Sequence, residues 1–167
     1  MIRKILAIFA IVILVIFIKF HFFHPRNLLQ PITVLKAWHW EQFGGASGGL
    51  YPEDDSIRCE ILKTDGTDWH VQLYQVVTPL VDGREYRLHF LAKADGNFKI
   101  GLNATTGGSD IHSIGIGQDV MLDSKWTSYD YTFKAEKVAG QIVRVPDIML
   151  GKQTGKVWIK DIVVSET

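Results

Sequence analysis

Apolar and polar residues alternate along most of the chain after its first thirty positions. This part of the sequence carries no apolar stripe with the 3.6-residue period of an amphipathic helix. Alternating segments are separated by turn residues such as Asp65-Gly66, Asp82-Gly83 and Asp95-Gly96-Asn97, and the last of these predicts a tight hairpin. The pattern predicts about nine strands, at residues 34–41, 56–63, 69–76, 85–94, 98–104, 112–121, 129–134, 141–150 and 156–164.

Short strands at regular spacing, joined by Gly-rich turns, are typical of an all-β sandwich or barrel. The chain has 167 residues, and the part after residue 30 is long enough for one substantial hydrophobic core. One anchor and one compact domain therefore account for the whole sequence.

The N-terminus differs from the rest of the chain. Arg3 and Lys4 precede an apolar run over residues 5–18, and phenylalanines extend it to Phe23. As a helix, residues 5–23 would reach about 28 Å, close to the thickness of a bilayer's hydrocarbon core. The flank at residues 19–25 lacks the small residues that precede a signal-peptide cleavage site.

We therefore expect an uncleaved signal-anchor with a single transmembrane helix at residues 1–24. A linker at 25–32 and a β-sandwich at 33–167 would follow. Arg3 and Lys4 favour a cytoplasmic N-terminus, which places the domain on the extracytoplasmic side, periplasmic or extracellular.

Composition excludes two classes of protein. Eighteen basic residues balance eighteen acidic ones, so nothing favours the neutralisation of nucleic-acid phosphates. The single cysteine, Cys59, excludes an internal disulfide framework, and its place in an alternating strand predicts a buried, unreactive thiol.

Two motifs resemble those of hydrolytic enzymes, but the sequence around each of them does not support catalysis. Ser47 lies in a Gly-x-Ser-x-Gly sequence, but no helix follows to form a nucleophile elbow, and residues 44–49 are expected to form a flexible loop. Glu53, Asp54 and Asp55 follow a proline, which favours a solvated turn over a glycosidase carboxylate pair. We expect no catalytic residue and no enzymatic activity.

Alternation in the predicted strand 69–76 assigns Trp69 to the core and turns His70, Gln72 and Tyr74 to the opposite face. Sugar recognition needs this mixture, because aromatic rings cover the C–H face of a pyranose and amides bond its hydroxyl groups. An ordinary solvated strand face would have the same composition.

Two further residues are candidates for that face. Trp40 shares one side of the first predicted strand with Trp38, and the pair fits either a stacking platform or the core. Asn103 could contribute an amide. The candidate carbohydrate-binding residues are thus His70, Gln72, Tyr74, Trp40 and Asn103.

Three motifs occur in an order that resembles the carbohydrate-binding modules of families four and nine. They are Trp-His-Val-Gln-Leu-Tyr-Gln at residues 69–75, Gly-x-x-Tyr-x-Leu-x-Phe-x-Ala-Lys-Ala at 83–94, and Val-Trp-Ile-Lys-Asp at 157–161. The resemblance implies a jelly-roll β-sandwich that binds glycan chains in a groove on one concave sheet.

The resemblance also implies a structural calcium ion near the end of the chain, with Asp161 in the matching position. Asp161 is expected on an apolar strand face with Val157, Ile159 and Val163. A carboxylate there needs a metal, a salt bridge or backbone hydrogen bonds.

Two functions follow from these observations. The first is non-catalytic polysaccharide binding at the outer face of a membrane, with residues 5–23 in the bilayer. The alternative is a structural or protein-interaction β-sandwich of the cell envelope that has lost its sugar site.

Overall fold

The computed structural model describes residues 26–77 and 80–167, which form two packed antiparallel sheets. The strands are β1 (His39–Gln42), β2 (Ser47–Glu53), β3 (Ser56–Lys63), β4 (Val71–Val77), β5 (Glu85–Ala94), β6 (Phe98–Thr106), β7 (Ser113–Leu122), β8 (Thr127–Lys134), β9 (Val143–Met149) and β10 (Gly155–Glu166). Two short 3-10 helices, Leu35–Ala37 and Asp68–His70, precede β1 and β4.

Each sheet has five strands. Sheet A has the order β1-β4-β9-β6-β7, and sheet B has the order β2-β3-β10-β5-β8. The expected all-β sandwich is confirmed, with ten strands described in place of about nine.

The core lies between the sheets and follows the alternation in the sequence. In β5, Leu88, Phe90 and Ala92 are fully buried, and Leu73 of β4 is buried on the inner side of sheet A. Cys59 is buried in β3, and burial raises the pKa of its thiol. One continuous apolar cluster therefore joins the two inner faces.

Strand β2 corrects the flexible loop expected at residues 44–49. Ser47 starts an edge strand that pairs with β3 along its whole length. A side chain on Gly48 would overlap the Glu60 carbonyl, so glycine permits the close approach of β2 to β3. Ser47 thus lies in an antiparallel strand and not on a strand-turn-helix corner.

The 3-10 helix Asp68–His70 corrects the predicted position of Trp69. Residues 68–70 do not continue the alternation of β4, so Trp69 leaves the core side and its surface is 47% exposed. The expectation that Trp69 is a core residue was therefore wrong.

A bulge in β10 changes the position of Asp161. The pairing with β5 shifts between Lys160 and Val163, and Asp161 adopts a φ of +52°. Ile162 takes the buried position, while Asp161 is exposed. The expectation that Asp161 lies on the apolar face was wrong, because a bulge breaks the period of two.

The N-terminal anchor expected at residues 1–24 lies outside the described residues. Within 26–77 and 80–167, no helix is long and apolar enough to cross a membrane. Residues 27–32, expected to belong to a linker, are fixed to the domain. Leu29 and Ile32 are buried, and the Asn27 side chain bonds to backbone atoms of Ile162 and Val164.

Candidate functional site on the outer face of sheet A

Two rows of residues cross all five strands on the outer face of sheet A. Directly paired residues of antiparallel strands project to the same side, so each row forms a continuous strip. The first row is His39, Tyr74, Asp147, Asn103 and Gly117; the second is Glu41, Gln72, Met149, Gly101 and Asp119.

A shallow cavity of about 320 Å³ lies at the β6–β7 end of these rows. Glycines at positions 101 and 117 lower its floor, and a side chain on Gly101 would press against Met149 at 3.2 Å. Its walls offer carboxylate and amide groups, which can bond sugar hydroxyls. The cavity is lined by Asp68, Gly101, Asn103, Gly117, Gln118, Asp119 and Met149.

Tyr74 organises the β1–β4 end. Its hydroxyl donates a 2.6 Å hydrogen bond to Glu41 Oε1, His39 stacks on its ring at 4.8 Å, and the Arg144 guanidinium lies 4.2 Å from the ring centroid. Burial, and to a lesser extent the bond to Glu41, raises the pKa of Tyr74 to about 12. Only 4% of Tyr74 is exposed, so its ring positions neighbouring groups and presents no free face for stacking.

Asp147 is the most deeply buried acid on this face, at 2% exposure. Its Oδ2 accepts a 2.8 Å hydrogen bond from the Thr105 hydroxyl. Burial raises the pKa of Asp147, against the opposing effects of the Thr105 bond and the Arg144 charge. Within the described part of the chain, Asp147 Oδ1 and Arg144 Nε are buried without hydrogen-bond partners. Such atoms on a binding face are suited to a ligand's hydroxyl groups.

An aromatic rim lies where β1 ends and β4 begins. The rings of Trp69 and Phe43 are both exposed, with centroids 5.9 Å apart. Trp69 adjoins Asp68 of the cavity wall, and its carbonyl accepts a 2.7 Å bond from the Gln72 side chain. The rim therefore supplies the flat apolar surface that the buried Tyr74 does not.

Sequence alternation placed three of the five candidate residues on this face, namely Gln72, Tyr74 and Asn103. Trp40 pairs with buried Leu73 and packs against the core. His70 belongs to the 3-10 helix, with its Nδ1 3.0 Å from Asp65 Oδ1, and is not part of either row.

Sequence reasoning missed the polar cluster around Tyr74. His39 and Glu41 alternate with Trp38 and Trp40, so their common face was visible in the pattern. Arg144 and Asp147 are three positions apart and would fall on opposite faces of a regular strand. The pairing of β4 with β9 shifts between Tyr74 and Val76, which brings both residues to the outer side.

A second cavity, of about 400 Å³, contains Asp161, the residue expected to bind calcium. Asp161 and Asp55 line it together with Asn27 and Thr33, but the Asp55 carboxylate is 2.8 Å from the Lys160 ammonium. Among the described residues, no group of three or more His, Cys, Asp or Glu side chains is placed to hold a metal. A calcium ion there would depend on Asp161 together with backbone carbonyls and water.

Comparison with known proteins identifies the family of this chain. A model described as "Carbohydrate binding domain" matches residues 37–145. One similar structure, described as "CBM4 structure and function", is 23% identical with a TM-score of 0.73, and the match covers 84% of this chain and 97% of that one. No curated protein sequence matches the chain.

Two further similar structures come from β-1,4-glucanase C of Cellulomonas fimi. Its second N-terminal cellulose-binding domain is 17% identical, with a TM-score of 0.67 and coverage of 86% of this chain and 95% of that one. Its N-terminal cellulose-binding domain is 13% identical, with a TM-score of 0.64 and coverage of 83% and 97%. At these identities the likeness shows a shared fold.

The matched segment spans well over half of the chain and includes the sheet A strands β1, β4, β6 and β7, together with the first three residues of β9. The resemblance of the sequence motifs to families four and nine is thereby confirmed. The chain belongs to the carbohydrate binding domain family of the four and nine type.

Proposed function

We propose that the domain binds a polysaccharide chain on the outer face of sheet A without cleaving it. The observation that carries the proposal is the exposed Trp69 ring, whose sequence neighbour Asp68 lines a polar cavity that also contains Asn103 and Asp119, in a chain of this family. Stacking and hydrogen bonding, the two interactions that sugar recognition combines, thus meet at one place.

Each group has a distinct part in this proposal. Trp69 covers the C–H face of one sugar ring, while Asn103 and Asp119 bond hydroxyl groups in the cavity. Asp147 Oδ1 and Arg144 Nε, buried without partners among the described residues, supply further hydrogen bonds. Hydroxyl-rich ligands exchange bonds with water for bonds with protein, so the affinity is modest, with Kd in the micromolar to millimolar range, about −4 to −8 kcal/mol.

The proposal includes the absence of turnover. Glycoside hydrolysis needs two carboxyl groups that flank the scissile bond. Glu41 is engaged by Tyr74 and Asp147 by Thr105, and both belong to the positioning network described above. A reducing-sugar assay with any polysaccharide that binds should therefore show no release of ends.

We also propose that residues 5–23 hold the domain at the outer face of a membrane. The apolar run and the bulky residues after it support this part of the proposal. The full chain should stay in the membrane fraction through a carbonate wash. N-terminal sequencing of the mature protein that starts near residue 25 would contradict an uncleaved anchor.

Calorimetry against β-glucans, xylan and mannan tests the binding proposal. We expect at least one to bind, and Asn103→Ala to weaken it about tenfold, the loss of roughly one hydrogen bond. Asn97→Ala, in the exposed hairpin between β5 and β6, is the matched control and should bind like the parent. If no polysaccharide binds, or if both variants bind alike, the binding proposal fails. The alternative, a structural or protein-interaction β-sandwich, then replaces it.

A further inference from the structure

The outer face of sheet B carries a second row of large side chains, on the opposite side of the sandwich. Tyr51, Arg58, Trp158 and Lys93 are directly paired across β2, β3, β10 and β5. Trp126 extends the row immediately before β8, and it is 37% exposed. We call these residues, together with Lys160, the tryptophan face.

Cations lie against every aromatic ring of this face. The Lys93 ammonium is 5.1 Å from the centroids of both Trp126 and Trp158, and the Lys160 ammonium is 4.9 Å from that of Trp126. The Arg58 guanidinium lies 4.4 Å from the Tyr51 centroid. The two indoles are thus held in place around a shared ammonium, with both an apolar and a cationic surface toward solvent.

The nearby carboxylates are occupied by specific partners. Glu53 accepts bonds from Arg58 and from the Trp158 indole N–H, and Asp55 pairs with Lys160. Lys93 forms no ion pair within residues 26–77 and 80–167. The tryptophan face therefore keeps a free positive charge between its two indoles.

The chain's own N-terminal segment approaches this sheet. Asn27 is bonded to Ile162 and Val164, and the Leu28 N–H donates to the Val164 carbonyl at 2.7 Å. All these bonds fix the start of the domain to β10, the strand that carries Trp158 four residues before Ile162.

Very little chain separates that fixed point from the apolar run. Phe23 ends the run and Asn27 is already bound to β10, so the connection is four residue steps, at most about 14 Å when extended. A bilayer that takes up residues 5–23 therefore lies close to sheet B. Tryptophan and tyrosine favour the headgroup region of a bilayer, and lysine stems extend along it to place their charge among headgroups.

We infer that the tryptophan face rests on the lipid headgroups of the membrane that holds the chain, with Trp126, Trp158, Lys93 and Lys160 as its contacts. This inference rests on the proposed anchor. It orients the domain so that the outer face of sheet A points away from the bilayer and toward extended polysaccharide.

Fluorescence quenching of the full chain tests the orientation. The chain is reconstituted in vesicles of phosphatidylcholine with one-third phosphatidylglycerol, with and without bromine near the headgroup end of the acyl chains. Brominated lipid should quench the parent's tryptophan emission. Trp126→Phe/Trp158→Phe should lose more than half of that quenching, whereas Trp69→Phe on the other side of the sandwich should keep it. Lys93→Glu, which leaves both indoles, should also reduce the quenching.

Three outcomes overturn the inference. Quenching that persists in the Trp126→Phe/Trp158→Phe variant, or that disappears in Trp69→Phe, means that a different face meets the lipid. Emission of Trp126 and Trp158 that responds to soluble polysaccharide and not to lipid identifies a second sugar surface. A chain that carbonate removes from the vesicles refutes the anchor and this inference together, while sugar calorimetry on the same protein decides the binding proposal separately.

Discussion

The Tyr74 hydroxyl donates a 2.6 Å hydrogen bond to the Glu41 carboxylate, from β4 to the edge strand β1. Among the described strands, the four-residue β1 pairs with β4 alone, so the contacts between these two strands largely fix its position in the sheet. The same tyrosine ring contacts His39 and Arg144. One buried side chain therefore links β1, β4 and β9 at the end of the proposed binding face that lies opposite the cavity.

Removing the hydroxyl tests this relationship. We expect Tyr74→Phe to lower the free energy of unfolding by about 1–2 kcal/mol, because the Glu41 carboxylate loses its hydrogen bond from the hydroxyl and keeps only the Arg144 guanidinium, at 3.8 Å. Urea denaturation measures the change. Tyr51→Phe on the exposed side of sheet B is the matched control and should change stability by less than about 0.5 kcal/mol. Equal effects of the two substitutions would show that the Tyr74 hydroxyl does not stabilise the fold.

Asp147 should decrease stability at neutral pH while it contributes to binding. Its folded pKa is raised above the ordinary value of 3.8, so the unfolded chain ionises first as pH rises. At low pH the carboxyl is protonated in both the folded and the unfolded chain, and its burial then costs no ionisation free energy. As pH rises through the folded pKa, the buried group must ionise, and the free energy of unfolding falls. Asp147→Asn keeps an acceptor for Thr105 and removes the ionisation.

We therefore expect Asp147→Asn to unfold at a higher temperature than the parent at pH 7, with a smaller difference below about pH 4. Its polysaccharide affinity should fall, because a carboxylate accepts stronger hydrogen bonds than an amide. Thermal unfolding at both pH values and calorimetry measure the two effects. A variant that is less stable than the parent at pH 7 would contradict the assignment.

Gly44 and Gly45 form a matched pair in the turn after β1. Both have a positive φ, +59° and +74°, but only at Gly44 would a side chain overlap the His70 imidazole. Each alanine substitution carries a backbone cost of about 1–2 kcal/mol. Gly44→Ala should cost at least about 1 kcal/mol more than Gly45→Ala in urea denaturation, because it also displaces His70. Equal costs would show that the imidazole moves aside freely.

Calcium at Asp161 stays a prediction that the family resemblance supports. A chelator should lower the thermal midpoint of unfolding, and Asp161→Ala should abolish that dependence. Asp119→Ala, on the outer face of sheet A, should leave the chelator effect intact. A midpoint that no chelator changes would mean that the exposed Asp161 holds no metal.

Regular alternation made much of this fold predictable from sequence. Where a strand runs without interruption, as in β5 and in β6 as far as Asn103, period two assigned core and surface as the structure has them, including the position of Asn103 on the outer face of sheet A. The motifs at residues 69–75 and 83–94 identified the family, which the match to residues 37–145 confirms.

Local breaks in the alternation explain what sequence reasoning missed. The 3-10 helix at Asp68–His70 releases Trp69 from the core, and the bulge after Lys160 exposes Asp161. Arg144 and Asp147 share a face only because of a register shift in β9. The bulge in β10 and the register shift in β9 depend on the partner strands, and a period counted along a single strand cannot reveal them.

Trp69 provides the most direct test of the binding site. Calorimetry with a polysaccharide that the parent binds should show that Trp69→Ala lowers affinity at least tenfold, with a thermal midpoint within about 3 °C of the parent, because the ring is 47% exposed. Trp126→Ala, a comparably exposed tryptophan on the opposite sheet, should bind like the parent. Unchanged affinity in Trp69→Ala, or an equal loss in Trp126→Ala, would contradict a polysaccharide site on the outer face of sheet A.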